Sequence, residues 1–117
     1  MIPISRKTLW AIKLILTLRA TDVDVPRTLP NIIKDLYTKK LPVSESYAEQ
    51  ILHQLHEAGL VATRRGPGGG YYLLQRITLL AVVKAIEQDQ PLSGYADVEA
   101  AFNDRCNEIV LADPKKL

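Results

Sequence analysis

The sequence predicts an α+β domain in which helices precede and follow one two-stranded hairpin. Three observations predict it. Apolar residues recur at helical spacing up to Ala58, the period shortens on both sides of the glycine run GPGGG (66–70), and helical spacing returns at Thr78. A length of 117 residues suits one domain, or one domain with an appendage.

The first helix is expected from a cap at Ser5, whose side-chain oxygen can meet unpaired first-turn amides, to about Ala20. Leu9, Trp10, Ile12, Leu14, Ile15, Leu16 and Leu18 leave it apolar on nearly every side. Such a helix is buried on more than one face, and in a domain this small a second chain can cover one of them. TDVDVP (21–26) breaks it. A second helix is expected from Leu29 to about Thr38, with Pro30 in its first turn and Ile32, Ile33 and Leu36 on its apolar side. Ser44 caps a third helix through about Ala58, and Ser46 with Glu49 offers a capping box as an alternative start. Ala48, Ile51, Leu52 and Leu55 form its inward stripe, and Gly59 is a natural terminator.

LVATRR (60–65) and YYLLQ (71–75) read as the strands of the hairpin. A fourth helix, Thr78 to about Gln88, carries Leu79, Val82, Val83 and Ile86. DQPLSG (89–94) reads as a linker, which divides the chain into residues 1–88 and 89–117. A last helix is expected from Tyr95 to Ala112. Tyr95, Val98, Phe102, Cys106 and Ile109 form a narrow seam on it, the pattern of a helix-pairing surface. With Trp10 of the first helix, these residues are the expected contacts of a homodimer.

The net charge of +2 does not announce a partner, but its distribution is uneven. Residues 1–76 hold 11 Lys/Arg against 6 Asp/Glu, whereas residues 77–117 hold 4 against 7. The single cysteine, Cys106, excludes an intrachain disulfide and fits a reducing compartment. The N-terminus shows no secretory h-region, and the apolar run Leu9 to Leu18, broken by Lys13 and Thr17, is too short to cross a bilayer. A cytoplasmic protein is expected.

TRRGPGGGYYLL (63–74) sets cations beside glycines. A nucleotide loop does not fit: no Lys-Ser/Thr ends the run, Tyr71 stands where a dinucleotide fingerprint needs glycine, and a strand follows instead of a helix. A solvated hairpin turn is the plain structural reading. The order of three helices and then a hairpin favours a winged helix-turn-helix, in which the second helix of the motif enters the major groove and a neighbouring loop meets the backbone. Arg65, with Arg64 behind it, would then form the wing tip, since guanidinium suits phosphate or a narrow minor groove. With the core stripe inward, Glu45, Ser46, Glu49, Gln50 and His53 face outward on the third helix. Gln can pair with adenine and Glu can accept from cytosine, although a solvated polar face would read the same way.

Metal and catalytic chemistry find little support. His53 and His56 stand three apart on a helix with no third ligand evident, so no metal site is expected. No Ser or Cys has a recognisable base partner, and no enzyme is expected.

ISRKTLWAI (4–12), VSESYAEQILHQLHEAGLV (43–61), RRGPGGGYYL (64–73) and ITLLAVVKAIE (77–87) together resemble the Rrf-two family of winged-helix transcription regulators, the IscR, NsrR and CymR type. The resemblance covers about three quarters of the chain. It implies homodimeric, sequence-specific binding to a partly palindromic duplex, usually as a repressor. It also implies DNA contacts at Arg6, Lys7, Ser44, Ser46, Tyr47, Glu49, Gln50 and Arg65, with Gly66, Gly68 and Gly69 shaping the wing; the residue pattern itself adds His53 and Arg64. Cluster-binding members carry several cysteines in the loop before the last helix, where this chain has none. No cofactor is therefore expected, since one thiolate per chain is too few for an iron–sulfur cluster. Two other readings stay open: a protein-interaction module on the same scaffold, and a redox or cluster sensor using Cys106.

Overall fold

A computed structural model describes residues 5–19, 21–22, 24–36, 43–87, 105 and 107–113. Four helices, α1 (Arg6–Thr17), α2 (Leu29–Leu36), α3 (Glu45–Glu57) and α4 (Leu79–Ile86), surround one core. Two antiparallel pairs complete it: β1 (Val61–Arg64) with β2 (Gly70–Leu73), and β3 (Ile77–Thr78) with β4 (Val110–Ala112).

Helices α1 and α3 start at the expected caps, and Thr78, expected as the first residue of the fourth helix, caps α4. Ser5 Oγ accepts from the Thr8 amide at 3.1 Å, Ser44 Oγ from Tyr47 at 3.1 Å and Thr78 Oγ1 from Ala81 at 3.2 Å. The alternative capping box at Ser46 is not used, because Ser46 lies within α3. Helix α1 is central and packs on α2, α3 and α4. Its Leu14, Ile15 and Leu18 meet Ile32 and Leu36 of α2, Ala48, Ile51, Leu52 and Leu55 of α3, and Val82 of α4 in one core cluster. Removing this much apolar surface from water is the main force holding the small domain together.

The hairpin is tied to the helices at its base. The Thr21 hydroxyl donates to the Leu18 carbonyl at 2.6 Å and accepts from the Leu73 amide at 3.1 Å, which satisfies a buried polar group twice. Arg27 adds a one-residue third strand. Its amide donates to the Tyr71 carbonyl at 2.9 Å, and the Tyr71 amide donates back at 2.7 Å.

The expected last helix requires a correction at its end. Arg105, Asn107 and Glu108 are helical, but Ile109 is not, and Val110–Ala112 form β4. Ile77 pairs with Ala112 and Thr78 with Val110, and the Leu79 amide donates to the Ile109 carbonyl at 2.9 Å. That last bond satisfies an amide of the α4 first turn that no intrahelical partner can reach. The β-branched pair Ile109–Val110 suits an extended edge better than a helix end. Ile109, expected on a helical seam, therefore lies beyond the helical residues and is exposed. The other seam residues, Tyr95, Val98, Phe102 and Cys106, lie outside the described residues.

Candidate nucleic-acid interface

Helix α3 presents the face its sequence pattern predicts. Ala48, Ile51, Leu52 and Leu55 are buried, while Glu45, Ser46, Glu49, Gln50 and His53 are exposed. Ser44 is exposed with its oxygen engaged as the cap, and Tyr47 is half-buried against the core. The helix thus offers polar side chains from its first three turns on one side, with a rigid apolar anchorage on the other.

The wing stands next to that face. β1 and β2 pair in register from Val61 with Leu73 to Arg64 with Gly70, so that Arg64, Arg65, Gly66 and Gly68 form an exposed tip. The turn closes with a bond from the Gly69 amide to the Gly66 carbonyl at 2.9 Å. A side chain at Gly69 would collide with the carbonyl of Arg64, and one at Gly70 with that of Arg27. The two glycines are therefore required by close backbone approach, at the tip and at the Arg27 bridge respectively.

Contacts from Arg27 and from His56 fix the wing on the helices. The Arg27–Tyr71 bridge holds β2. The Arg27 guanidinium donates to the carbonyls of Thr17 at 3.2 Å and Asn31 at 3.1 Å and pairs with Asp35 at 2.6 Å, so the bridging residue is itself anchored to α1 and α2. From α3, His56 Nδ1 lies 2.9 Å from the Val61 carbonyl at the start of β1. Between α3 and the wing lies a cleft of about 230 Å³ lined by Glu49, Leu52, His53, His56, Thr63 and Tyr71. Burial first, and then the Glu49 carboxylate, raise the Tyr71 pKa above the usual phenol value.

The structure thus brings Glu49 and His53 of α3 to the side of the wing on which Tyr71 and Thr63 stand. Arg6 is exposed and lines a different cleft with Leu9, Trp10 and Lys13, while Lys7 is half-buried. Trp10 is buried within its own chain, at 8% exposure, with the Lys13 ammonium 5.0 Å from its ring centre. The large apolar side chains that α1 leaves exposed are Leu9 and Leu16. Arg27, Thr63 and Tyr71 were not singled out from sequence as members of the site, and His56 was noted only with His53 as a polar position of the third helix. A lone arginine after Pro26 carries no local signal, since its role exists only once α1, α2 and β2 meet.

A polar-faced helix beside a glycine-turned cationic hairpin, both seated on a three-helix core, defines a winged helix-turn-helix protein. The chain belongs to the Rrf2 family of transcription regulators, described as "Iron-dependent Transcriptional regulator", whose profile matches residues 4–113. It is 33% identical over 88 residues to the HTH-type transcriptional regulator IscR of Yersinia enterocolitica, covering 73% of this chain and 51% of that protein. The chain thus spans about half the length of this curated relative. Among solved structures it is similar to T. potens IscR, with a TM-score of 0.74 and 26% identity over 98% of this chain and 87% of the other. It is equally similar to CymR, the global cysteine regulator of B. subtilis, with a TM-score of 0.74 and 25% identity over 95% and 94% of the two chains.

Proposed function

We propose that this chain is a sequence-specific DNA-binding regulator that acts as a homodimer, most simply as a repressor in the cytoplasm. The observation that carries the reading is the shared placement of the exposed α3 face and the cationic wing, held together by the Arg27 bridge and by His56. In this reading the α3 helices of two copies enter successive major grooves, with Glu49 and Gln50 reading base edges. Arg65 of each wing reaches the flanking minor groove, and dimer geometry sets the half-site spacing. Arg6 and Lys7 add phosphate contacts.

The iron named in the family description does not fit the donors of this chain. It has one cysteine, and among the described residues no three His, Cys, Asp or Glu side chains come together. We infer regulation without a resident iron–sulfur cluster, and no step of the reading passes through one.

Selection of bound duplexes from a random pool, at several salt concentrations, tests the proposal. An inverted repeat whose binding weakens steeply with salt supports the dimeric regulator. Absence of duplex binding at every salt concentration overturns it and favours a protein partner for the same face.

A further inference from the structure

The cleft between α3 and the wing has an electrostatic property that the base-reading residues do not need. His56 Nδ1 faces a backbone carbonyl, which can only accept, so Nδ1 carries the proton of the neutral ring. The other nitrogen, Nε2, then presents a lone pair. A neutral His56 is thus a poor neighbour for an anion, whereas the protonated ring offers a second N–H and a positive charge while keeping its bond to Val61. His53 lines the same cleft one turn earlier, exposed, with Nε2 3.8 Å from the Glu57 carboxylate. The remaining titratable groups on the cleft wall are Glu49 of α3 and Tyr71 of β2; β1 contributes the Thr63 hydroxyl. The cleft therefore holds two neutral hydroxyl donors, one carboxylate and two imidazoles. Only the imidazoles can supply the positive charge that an anion there requires.

We propose that this cleft seats a backbone phosphate of the bound duplex, with the Tyr71 and Thr63 hydroxyls as donors, and that His56, with His53 beside it, takes up a proton as the phosphate enters. The inference rests on the DNA-binding reading above and adds a site to it. Phosphate contacts position a protein on the duplex without reading sequence, so the site acts on any duplex. DNA affinity then rises as pH falls through the range in which imidazole gains its charge.

The test is the affinity for a mixed-sequence duplex of about 30 base pairs, at fixed low salt, from about pH 8 to about pH 6. Wild type is expected to tighten at least about fivefold across that range, out of the roughly hundredfold that one full proton would give. His56→Gln keeps an amide for the Val61 carbonyl but cannot titrate; it should lose most of the pH dependence, and His53→Gln/His56→Gln should lose nearly all of it. A measurement free of variants is the NMR titration of the His56 ring in wild type, which should move to higher pH when the duplex binds. Duplex binding with no pH dependence, a double variant that titrates like wild type, or an unmoved His56 titration would each overturn the phosphate site while leaving the regulator reading intact. A chain that binds no duplex at either pH overturns the regulator reading itself.

Discussion

The two small sheets of this protein are built on opposite principles. β1 and β2 are joined by the short run Arg65–Gly69, and the pair carries its cations out to an exposed tip. β3 and β4 are separated by more than thirty residues, and the pair turns Ile77 and Ala112 into the core at 0% and 3% exposure. The first sheet is a local structure placed where a ligand can reach it. The second is a clasp that ties Val110–Ala112 to the domain, where β4 rests against α1. Antiparallel pairing thus serves recognition in one place and closure in the other, and mutations in the two should be read out by different measurements.

The largest effect is expected in the clasp. Ile77 is fully buried in the common core, so Ile77→Ala leaves a cavity there. It should lower unfolding free energy by about 2–5 kcal/mol, seen as an earlier urea midpoint. Thr63→Ala, at an exposed position of the wing, should stay within about 0.5 kcal/mol of wild type. Equal losses for the two variants would erase the distinction between the sheets.

The wing should answer to DNA instead. Arg65→Ala leaves the melting temperature nearly unchanged and weakens duplex binding by about tenfold, with the salt slope shallower by about one phosphate contact. Unchanged affinity would make the wing a plain surface hairpin. Gly70→Ala should do both kinds of damage, because the added methyl meets the Arg27 backbone at the wing base.

How much of this was legible in the sequence follows from the same contrast. The caps at Ser5 and Ser44, the inward stripe of α3 and the hairpin around GPGGG are written within a few residues of where they act, and each was readable. β4 was not. Cys106 and Ile109 fit a helical period, and nothing nearby reveals that Ile77–Thr78 offers an edge to Val110–Ala112. Within the interface, the outward face of α3 and the wing cations could be read from pattern. The anchoring role of Arg27 and the contact of His56 with Val61 could not, because each acts on a backbone carbonyl or amide that only the folded chain brings near.

The last effect concerns the end of α4. Glu87 ends α4 and reaches back to the start of α1: its Oε1 accepts from the Ser5 amide at 2.9 Å and from the Thr8 hydroxyl at 2.6 Å. Burial alone would raise its pKa, but the hydrogen bonds from Ser5 and Thr8 outweigh burial and hold it below the usual carboxylate range. A carboxylate whose pKa is lowered on folding adds stability above its unfolded pKa, and that contribution is lost as pH falls through the folded value. Glu87→Gln keeps the shape and removes the charge, so it should cost about 1 kcal/mol near neutral pH, reduced by partial solvent exposure. The gap between variant and wild type in thermal melts should close as the pH is lowered through the carboxylate range. A gap independent of pH would mean that the hydrogen-bonding difference between carboxyl and amide, and not the charge of Glu87, sets the contribution of this contact between α1 and α4.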